Sequence, residues 1–394
     1  MDGCDKKIEK ILIGVNIRMY EEPTSGIQNF IKGIISELIK NKKYKFIFFS
    51  TGDKKIEKTG QYVKIDSKLI DSVKKIDPKL VNILYDNILI LKQINKYHPK
   101  IFFSPSFILP IYKPKNTFYI TMIHDLSFLK YKHNPLKIYM NLVMYMKAVM
   151  PSILKRTDVI IVPSNYVKDE LIKVYKVSEN KIKVIREGKD EYYFEIKNDL
   201  EFLKLTSFYK ISKNFLLTNT TNQERKNISG LILAYKNIRK IKDYQLIITG
   251  LLPEKNIIEL NNLIKNQNLE DRIKFLGYVP QKDLRILYSY AKLFIFPSFE
   301  EGFGLPLLES ISCNCLPICS NTGALPEIIN NNKLMFDPKN INSMTKKIDE
   351  MLDLELTKIN NYKKYLKNNI IEFTWQKSSS EYIKIFDSLV STNL

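Results

Sequence analysis

Two carboxylates, Glu301 and Glu309, stand on either side of a Gly-Phe-Gly turn in the run Pro297-Ser298-Phe299-Glu300-Glu301-Gly302-Phe303-Gly304-Leu305-Pro306-Leu307-Leu308-Glu309. Their spacing argues against a paired acid and base. Were the intervening residues all helical, the rise between them would be roughly 12 Å, beyond even the ~6.5–9.5 Å gap of an inverting hydrolase. Carboxylates so spaced are suited to reading hydroxyls at two places on a long ligand whose phosphates lie between. The apolar run Leu293-Phe294-Ile295-Phe296 before them reads as a buried parallel strand. Gly302 and Gly304 allow a sharp turn close to a ligand, and Pro306 suits the first turn of a helix. Strand, turn and helix N-terminus together make an anion site, because free backbone N–H groups and the dipole point at the ligand. Two solvated surface glutamates are the alternative, weakened by the buried strand and the turn they bracket.

Other constellations also fall at strand ends. Arg225-Lys226-Asn227 follows the strand Phe215-Leu216-Leu217-Thr218, and Asn227 is suited to cap the next helix. Two cations at a helix N-terminus are unfavourable unless an anion joins them, which argues for phosphate over a solvated Arg-Lys pair. His124-Asp125 follows a strand ending at Ile123, where a histidine serves equally in packing, capping or binding. Gly26, in Thr24-Ser25-Gly26, taken alone is a turn glycine.

The glutamate run resembles the donor-site motif of the retaining GT-B glycosyltransferases of family 4, whose signature is E-x7-E after P-S-x-x-E-G-F-G. The resemblance covers nearly the whole chain and is most similar to the mannosyltransferase-type members in Asn16-Ile17-Arg18 and Ser25-Gly26-Ile27. It implies that Lys226 and Arg225 bind the donor diphosphate. Glu301 would take donor-sugar hydroxyls and Glu309 the ribose diol, with the N–H groups around Phe303, Gly304 and Leu305 at the anion. It implies that Gly277, Tyr278 and Val279, in Phe275-Leu276-Gly277-Tyr278-Val279-Pro280, read the base by backbone contacts. His124 would lie near the transferred sugar and the acceptor, and Gly26 would approach the donor phosphate. Asn321-Thr322-Gly323-Ala324-Leu325-Pro326-Glu327 matches another family run, with Glu327 structural. The chain departs from the family at Thr218-Asn219-Thr220-Thr221, where a Gly or Arg is frequent, and by one residue at Cys315-Leu316-Pro317.

These residues need two scaffolds. A chain of 394 residues suggests two domains, and strands and helices alternate in two series. Strands are expected at Ile11–Val15, Tyr44–Phe49, Ile101–Ser104, Thr117–Ile123, Val159–Val162 and Lys181–Ile185, with helices over Gln28–Lys40 and Leu136–Leu154. The second series has strands at Phe215–Thr218, Tyr244–Thr249, Ile273–Phe275 and Leu293–Phe296, and helices from Asn227, near Lys282–Tyr290 and through Glu309. Alternating βα units imply doubly wound α/β sheets that bind ligands at the carboxyl ends of their strands. The resemblance makes these two Rossmann-like domains facing across a cleft, the GT-B architecture. Residues 1–195 would form the acceptor-side domain and 209–375 the donor domain, with Asp190–Lys213 as linker. The final helix, 376–394, would return to the first domain.

The composition narrows the class. The net charge of +20 admits a nucleotide-sugar diphosphate, an anionic membrane surface or nucleic acid as partner, or bias from an AT-rich genome. No nucleic-acid module is seen, so nucleic acid is set aside. No apolar run reaches the length of a membrane span, the N-terminus lacks a signal-peptide core, and a cytoplasmic enzyme is expected. The four cysteines form no disulfide framework, and Cys313, Cys315 and Cys319 read as buried thiols with Cys4 isolated. No D-x-D motif is seen, so no metal is required.

The reading is a metal-independent hexosyltransferase, with mannosyl as one candidate, using a GDP- or UDP-linked sugar. Its acceptor is a saccharide or a lipid-linked glycan, at the cytoplasmic membrane face in the latter case. Retention by front-face attack comes from the resemblance alone. A catalytically silent GT-B scaffold is the alternative. A phosphorylase of the same fold commonly needs a pyridoxal cofactor, for which no lysine motif is seen.

Overall fold

The computed structural model describes residues 10–21, 26–57, 60–65, 84–130, 137–221 and 224–391, without the side chains of residues 86 and 137–146. Cys4, Thr24, Ser25 and Leu136, used above, lie outside the described residues. The chain divides into two compact units, one from Met1–His124, Asn141–Gly188 and Trp375–Leu394, the other from Asp125–Met140 and Lys189–Thr374.

The first unit holds a parallel sheet of β1 (Ile11–Asn16), β2 (Tyr44–Ser50), β3 (Gln61–Lys64), β4 (Ile101–Ser104), β5 (Phe118–Met122), β6 (Val159–Val162) and β7 (Ile182–Val184), in the order β3-β2-β1-β4-β5-β6-β7. Phe46 and Phe48 join one apolar cluster while Ile47 and Phe49 join another. That alternation buries both faces, as a parallel sheet requires. The helix Gly26–Leu38 covers one face with Phe30, Ile31, Ile34, Ile35 and Leu38. Helix Trp375–Ser391 packs beside it through Trp375, Ser378, Tyr382 and Phe386, a stripe at helical spacing. Trp375 meets Phe30 edge-on at 5.8 Å.

The second unit's sheet consists of β8 (Phe215–Asn219), β9 (Gln245–Thr249), β10 (Ile273–Gly277), β11 (Leu293–Phe296), β12 (Pro317–Ser320) and β13 (Met335–Phe336). It is parallel, in the order β10-β9-β8-β11-β12-β13. Both sheets reverse their order of growth once, between β1 and β4 and between β8 and β11. At such a switch point the flanking loops diverge and leave a crevice at the carboxyl ends.

The expected linker Asp190–Lys213 needs correction. It contains the helix Asp199–Tyr209, capped by Asn198, whose side chain accepts from the Glu201 N–H at 3.2 Å. Phe202 stacks on Tyr290 with ring centroids 4.0 Å apart and belongs to the second unit's core. The segment shows no clean period because Leu200, Leu203 and Phe208 are apolar but exposed, which obscures the buried stripe. Among the described residues no helix is long and apolar enough to cross a membrane.

Candidate active site

The loops after β8 and β11, which flank the second sheet's switch point, are bonded to each other through Arg225 and Asn227. After β8 the chain makes a 3-10 turn, Glu224–Lys226, before the helix Ile228–Lys236. Phe299 N–H donates to the Arg225 carbonyl at 2.7 Å, and the Arg225 guanidinium donates to the Glu300 carbonyl at 2.8 Å. Asn227 holds the N-cap position but does not cap, contrary to the sequence expectation. It sits in the left-handed region (φ 53°) with no side-chain cap bond, and its amide donates to the carbonyls of Pro297 at 3.2 Å and Pro338 at 2.9 Å. The capping residue type is thus used to tie two loops together.

Glu301 is the centre of this arrangement. Its carboxylate pairs with the Arg225 guanidinium and with the Lys226 ammonium at 2.7 Å, and all three residues are buried. Burial alone would raise the Glu301 carboxyl, but the Arg225 and Lys226 charges outweigh it and hold the group at about 2. Burial pushes the Lys226 ammonium down against the pull of Glu301, with Arg225's charge acting the same way. The ammonium also lies 4.9 Å from the Phe296 ring centroid. Arg225 reaches within 4.0 Å of Asp125, and Lys130 pairs with buried Glu300 at 3.2 Å. Two cations therefore share one fully engaged carboxylate in the loops beyond β8 and β11, an arrangement that an arriving anion can enter by exchange.

The run Asn321–Glu327 supports Glu301 from behind. The Thr322 hydroxyl donates to the Phe299 carbonyl at 2.9 Å, and Ala324 N–H to the Glu301 carbonyl at 3.0 Å. Gly323 has φ 64°, and a Cβ there would lie 2.8 Å from both N and O of Glu301, so only glycine fits. Gly304 (φ 129°) is the N-cap of the eight-residue helix Leu305–Ser312 and has no side-chain cap. Phe303 is buried against Phe373 at 5.9 Å. The turn thus presents backbone N–H groups at a helix start, a ready anion site.

Glu309, inside that helix, has different surroundings. It accepts from the Tyr288 hydroxyl at 3.3 Å, and the Asn219 amide donates to the same hydroxyl at 3.4 Å. Burial raises the Glu309 carboxyl to about 7, opposed by the Tyr288 bond and assisted by Asp190. Asn219 belongs to the Thr218–Thr221 departure, which therefore supports this glutamate through Tyr288. At the end of β10 the Gly277 carbonyl accepts from Gly250 N–H at 2.7 Å. Tyr278 is exposed beside it, while Val279 is buried.

His124 and Gly26 belong to the first unit. His124 follows β5, with Nδ1 3.2 Å from a Glu187 carboxylate oxygen and Nε2 2.9 Å from the Pro105 carbonyl. Phe30 meets the ring edge-on at 4.8 Å. Gly26 is exposed and opens the helix Gly26–Leu38 after β1. Sequence reading missed Glu187 and Tyr288 and named Asn219 and Gly323 only as members of their runs; a carboxylate directly beyond the Lys181–Ile185 strand was the available signal for Glu187. Cys313, Cys315 and Cys319 are buried free thiols, and burial pushes each of them up. Among the described residues no group of three or more His, Cys, Asp or Glu could hold a metal ion.

The two units carry separate sequence signatures. Residues 208–373 match the family described as Glycosyl transferases group 1, and residues 24–191 match Glycosyltransferase Family 4. The O-antigen chain mannosyltransferase B of Escherichia coli is 30% identical over 263 residues, covering 66% of this chain and 67% of that protein. A glycosyltransferase structure from Rickettsia africae superposes with a TM-score of 0.72 at 21% identity, covering 97% of this chain and 99% of that one. A structure of HepE from Anabaena in complex with UDP and glucose superposes with a TM-score of 0.70 at 16% identity, covering 96% and 100%. The chain belongs to glycosyltransferase family 4. Its two sheets are those of the GT-B fold, and it is an enzyme of the glycosyltransferase class.

Proposed function

We propose that the protein is a retaining hexosyltransferase that moves a sugar, mannose first among the candidates, from a nucleotide-sugar to a saccharide or lipid-linked acceptor. The buried Arg225–Lys226–Glu301 cluster at the second sheet's switch point carries this reading. The relative named as a mannosyltransferase and the neighbour complexed with UDP and glucose support it. Arg225, Lys226 and the N–H groups around Phe303, Gly304 and Leu305 take the diphosphate and stabilise the charge that grows as the sugar–phosphate bond breaks. Displaced from its two cations, Glu301 accepts from sugar hydroxyls. Glu309 takes the ribose diol, and Gly277 to Val279 take the base. His124 and Gly26 serve the transferred sugar and donor phosphate from the first unit. The acceptor oxygen forms its bond to the sugar on the face the phosphate leaves, and the acceptor proton passes to the departing phosphate oxygen. The net charge of +20 suits an acceptor held at an anionic cytoplasmic membrane face.

The test is turnover of UDP-, GDP-, ADP- and dTDP-sugars with mixed lipid and saccharide acceptors, with and without EDTA, in wild type, Glu301→Ala and Lys226→Ala. One donor turned over, unaffected by EDTA and lost in both variants, is expected. Silence across the panel, with no nucleoside diphosphate bound in calorimetry, would refute the donor site and favour a scaffold.

A further inference from the structure

We infer that Glu187 is a positioning residue that holds His124 as a doubly donating imidazolium; the inference rests on His124 serving the transfer as proposed above. Both ring nitrogens of His124 face oxygens, a Glu187 carboxylate oxygen at 3.2 Å and the Pro105 carbonyl at 2.9 Å. A carbonyl and an ionised carboxylate only accept. A neutral imidazole has one N–H and would aim a lone pair at one of these oxygens. The imidazolium donates to both.

Burial makes the pairing reciprocal. Glu187 is 4% exposed, and an ionised carboxylate at such depth requires a partner charge. Asp125, next in the chain, turns its carboxylate onto Ser127, accepting from N–H at 3.0 Å and from the hydroxyl at 2.7 Å. Arg186 is exposed, and its carbonyl accepts from Ser378 at 2.6 Å. Tyr382, on the C-terminal helix, feels the Glu187 charge but is kept protonated by its own burial. Phe30 closes another side of the ring.

The consequence is chemical. An imidazolium cannot accept the acceptor's proton, so His124 is excluded as general base. Its Nε2–H, resting on the Pro105 carbonyl, can turn to a donor-sugar or phosphate oxygen as charge develops there. Its usefulness depends on the positive charge that Glu187 maintains.

Glu187→Gln keeps the shape and removes the charge. The protein has three histidines, so side-chain 15N NMR of the full chain, assigned with His124→Gln, reads the ring directly. Wild type at pH 7.5 should show both His124 nitrogens protonated, Glu187→Gln only one, and Glu187→Asp both again. The alkaline limb of kcat should fall by about one pH unit or more in Glu187→Gln. At pH 8 kcat should drop about ten-fold while the donor KM stays within about two-fold. A neutral His124 ring in wild type, or a charged ring retained in Glu187→Gln, would overturn the inference. Should Glu187→Gln fail to fold, the wild-type spectrum decides alone. Full activity in His124→Gln alongside the expected spectra would remove His124 from the reaction while leaving Glu187's hold on its charge intact.

Discussion

Replacing Glu309 with glutamine should stabilise the second unit at alkaline pH and leave it unchanged near pH 4.5. The carboxyl is raised from 4.5 to about 7, chiefly by burial, with Tyr288 supplying one hydrogen bond and no cation among the causes. Between those values the unfolded chain has released a proton that the folded chain retains, so this group erodes stability as pH rises and levels off above about 7. Fully desolvated, the rise would be worth up to about 3 kcal/mol; with the solvent access of a half-buried group, about 2 kcal/mol is expected. Glutamine still accepts from Tyr288 and carries no charge. For a unit of this size that gain is about 4–8 °C in Tm at pH 8. Calorimetry across pH 4.5–8.5 reads it, and the single tryptophan, Trp375, lies in the first unit and provides a fluorescence control that should not move. An equal gain at pH 5 and pH 8, or a loss at pH 8, would refute burial as the cause.

Glu301→Gln should act in the opposite sense. It strands Arg225 and Lys226 without their carboxylate, costing about 3–5 kcal/mol at pH 7, and added pyrophosphate should restore much of the lost Tm. Because the carboxyl is depressed, its contribution is complete above 4.5 and disappears as pH falls toward 2, where variant and wild type should melt together. Asn227→Ala frees the Pro297 and Pro338 carbonyls, at a cost of about 1–3 kcal/mol in urea titrations, and should weaken nucleoside diphosphate binding several-fold by calorimetry. Gly323→Ala puts a Cβ against the Glu301 backbone in a left-handed conformation. It should cost about 1–3 kcal/mol and lower kcat more than Glu327→Gln does.

What the sequence made legible was periodic or punctuated. Buried strands such as Ile101–Ser104 and Val159–Val162 announce themselves as continuous apolar runs, and their ends fell where read. Gly304 and Pro306 marked the turn and helix start for the same reason: each fixes backbone geometry by itself. The helix Asp199–Tyr209 was hidden because exposed Leu200 and Phe208 mask the buried stripe of Phe202 and Leu205. Asn227 was misread because an N-cap preference is local, whereas its amide bonds to carbonyls 70 and 111 positions away. Glu187 and Tyr288 were missed likewise: each acquires meaning from a partner, His124 or Glu309, that only the folded sheet brings near.

The two motif glutamates show why such partners matter more than residue type. Glu301 and Glu309 share a helix-opening run, yet one is held near 2 and the other near 7. Desolvation acts on both in the same direction; the difference lies in what stands opposite. Glu301 faces a guanidinium and an ammonium, Glu309 a phenol. In many enzymes carboxyls driven apart in this way are the acid and the base of one reaction, but these two share no partner, one engaged with Arg225 and Lys226 and the other with Tyr288. Under the proposed reading the split serves binding. Glu301 arrives charged and is released by the diphosphate that takes its cations. Glu309 begins half-protonated near neutral pH and is driven to ionise by the two ribose hydroxyls it must accept from. Nucleotide binding at pH 6 should therefore release a proton, seen as a calorimetric enthalpy that changes with buffer ionisation. Glu309→Gln should abolish that release, and its persistence there would detach Glu309 from the nucleotide.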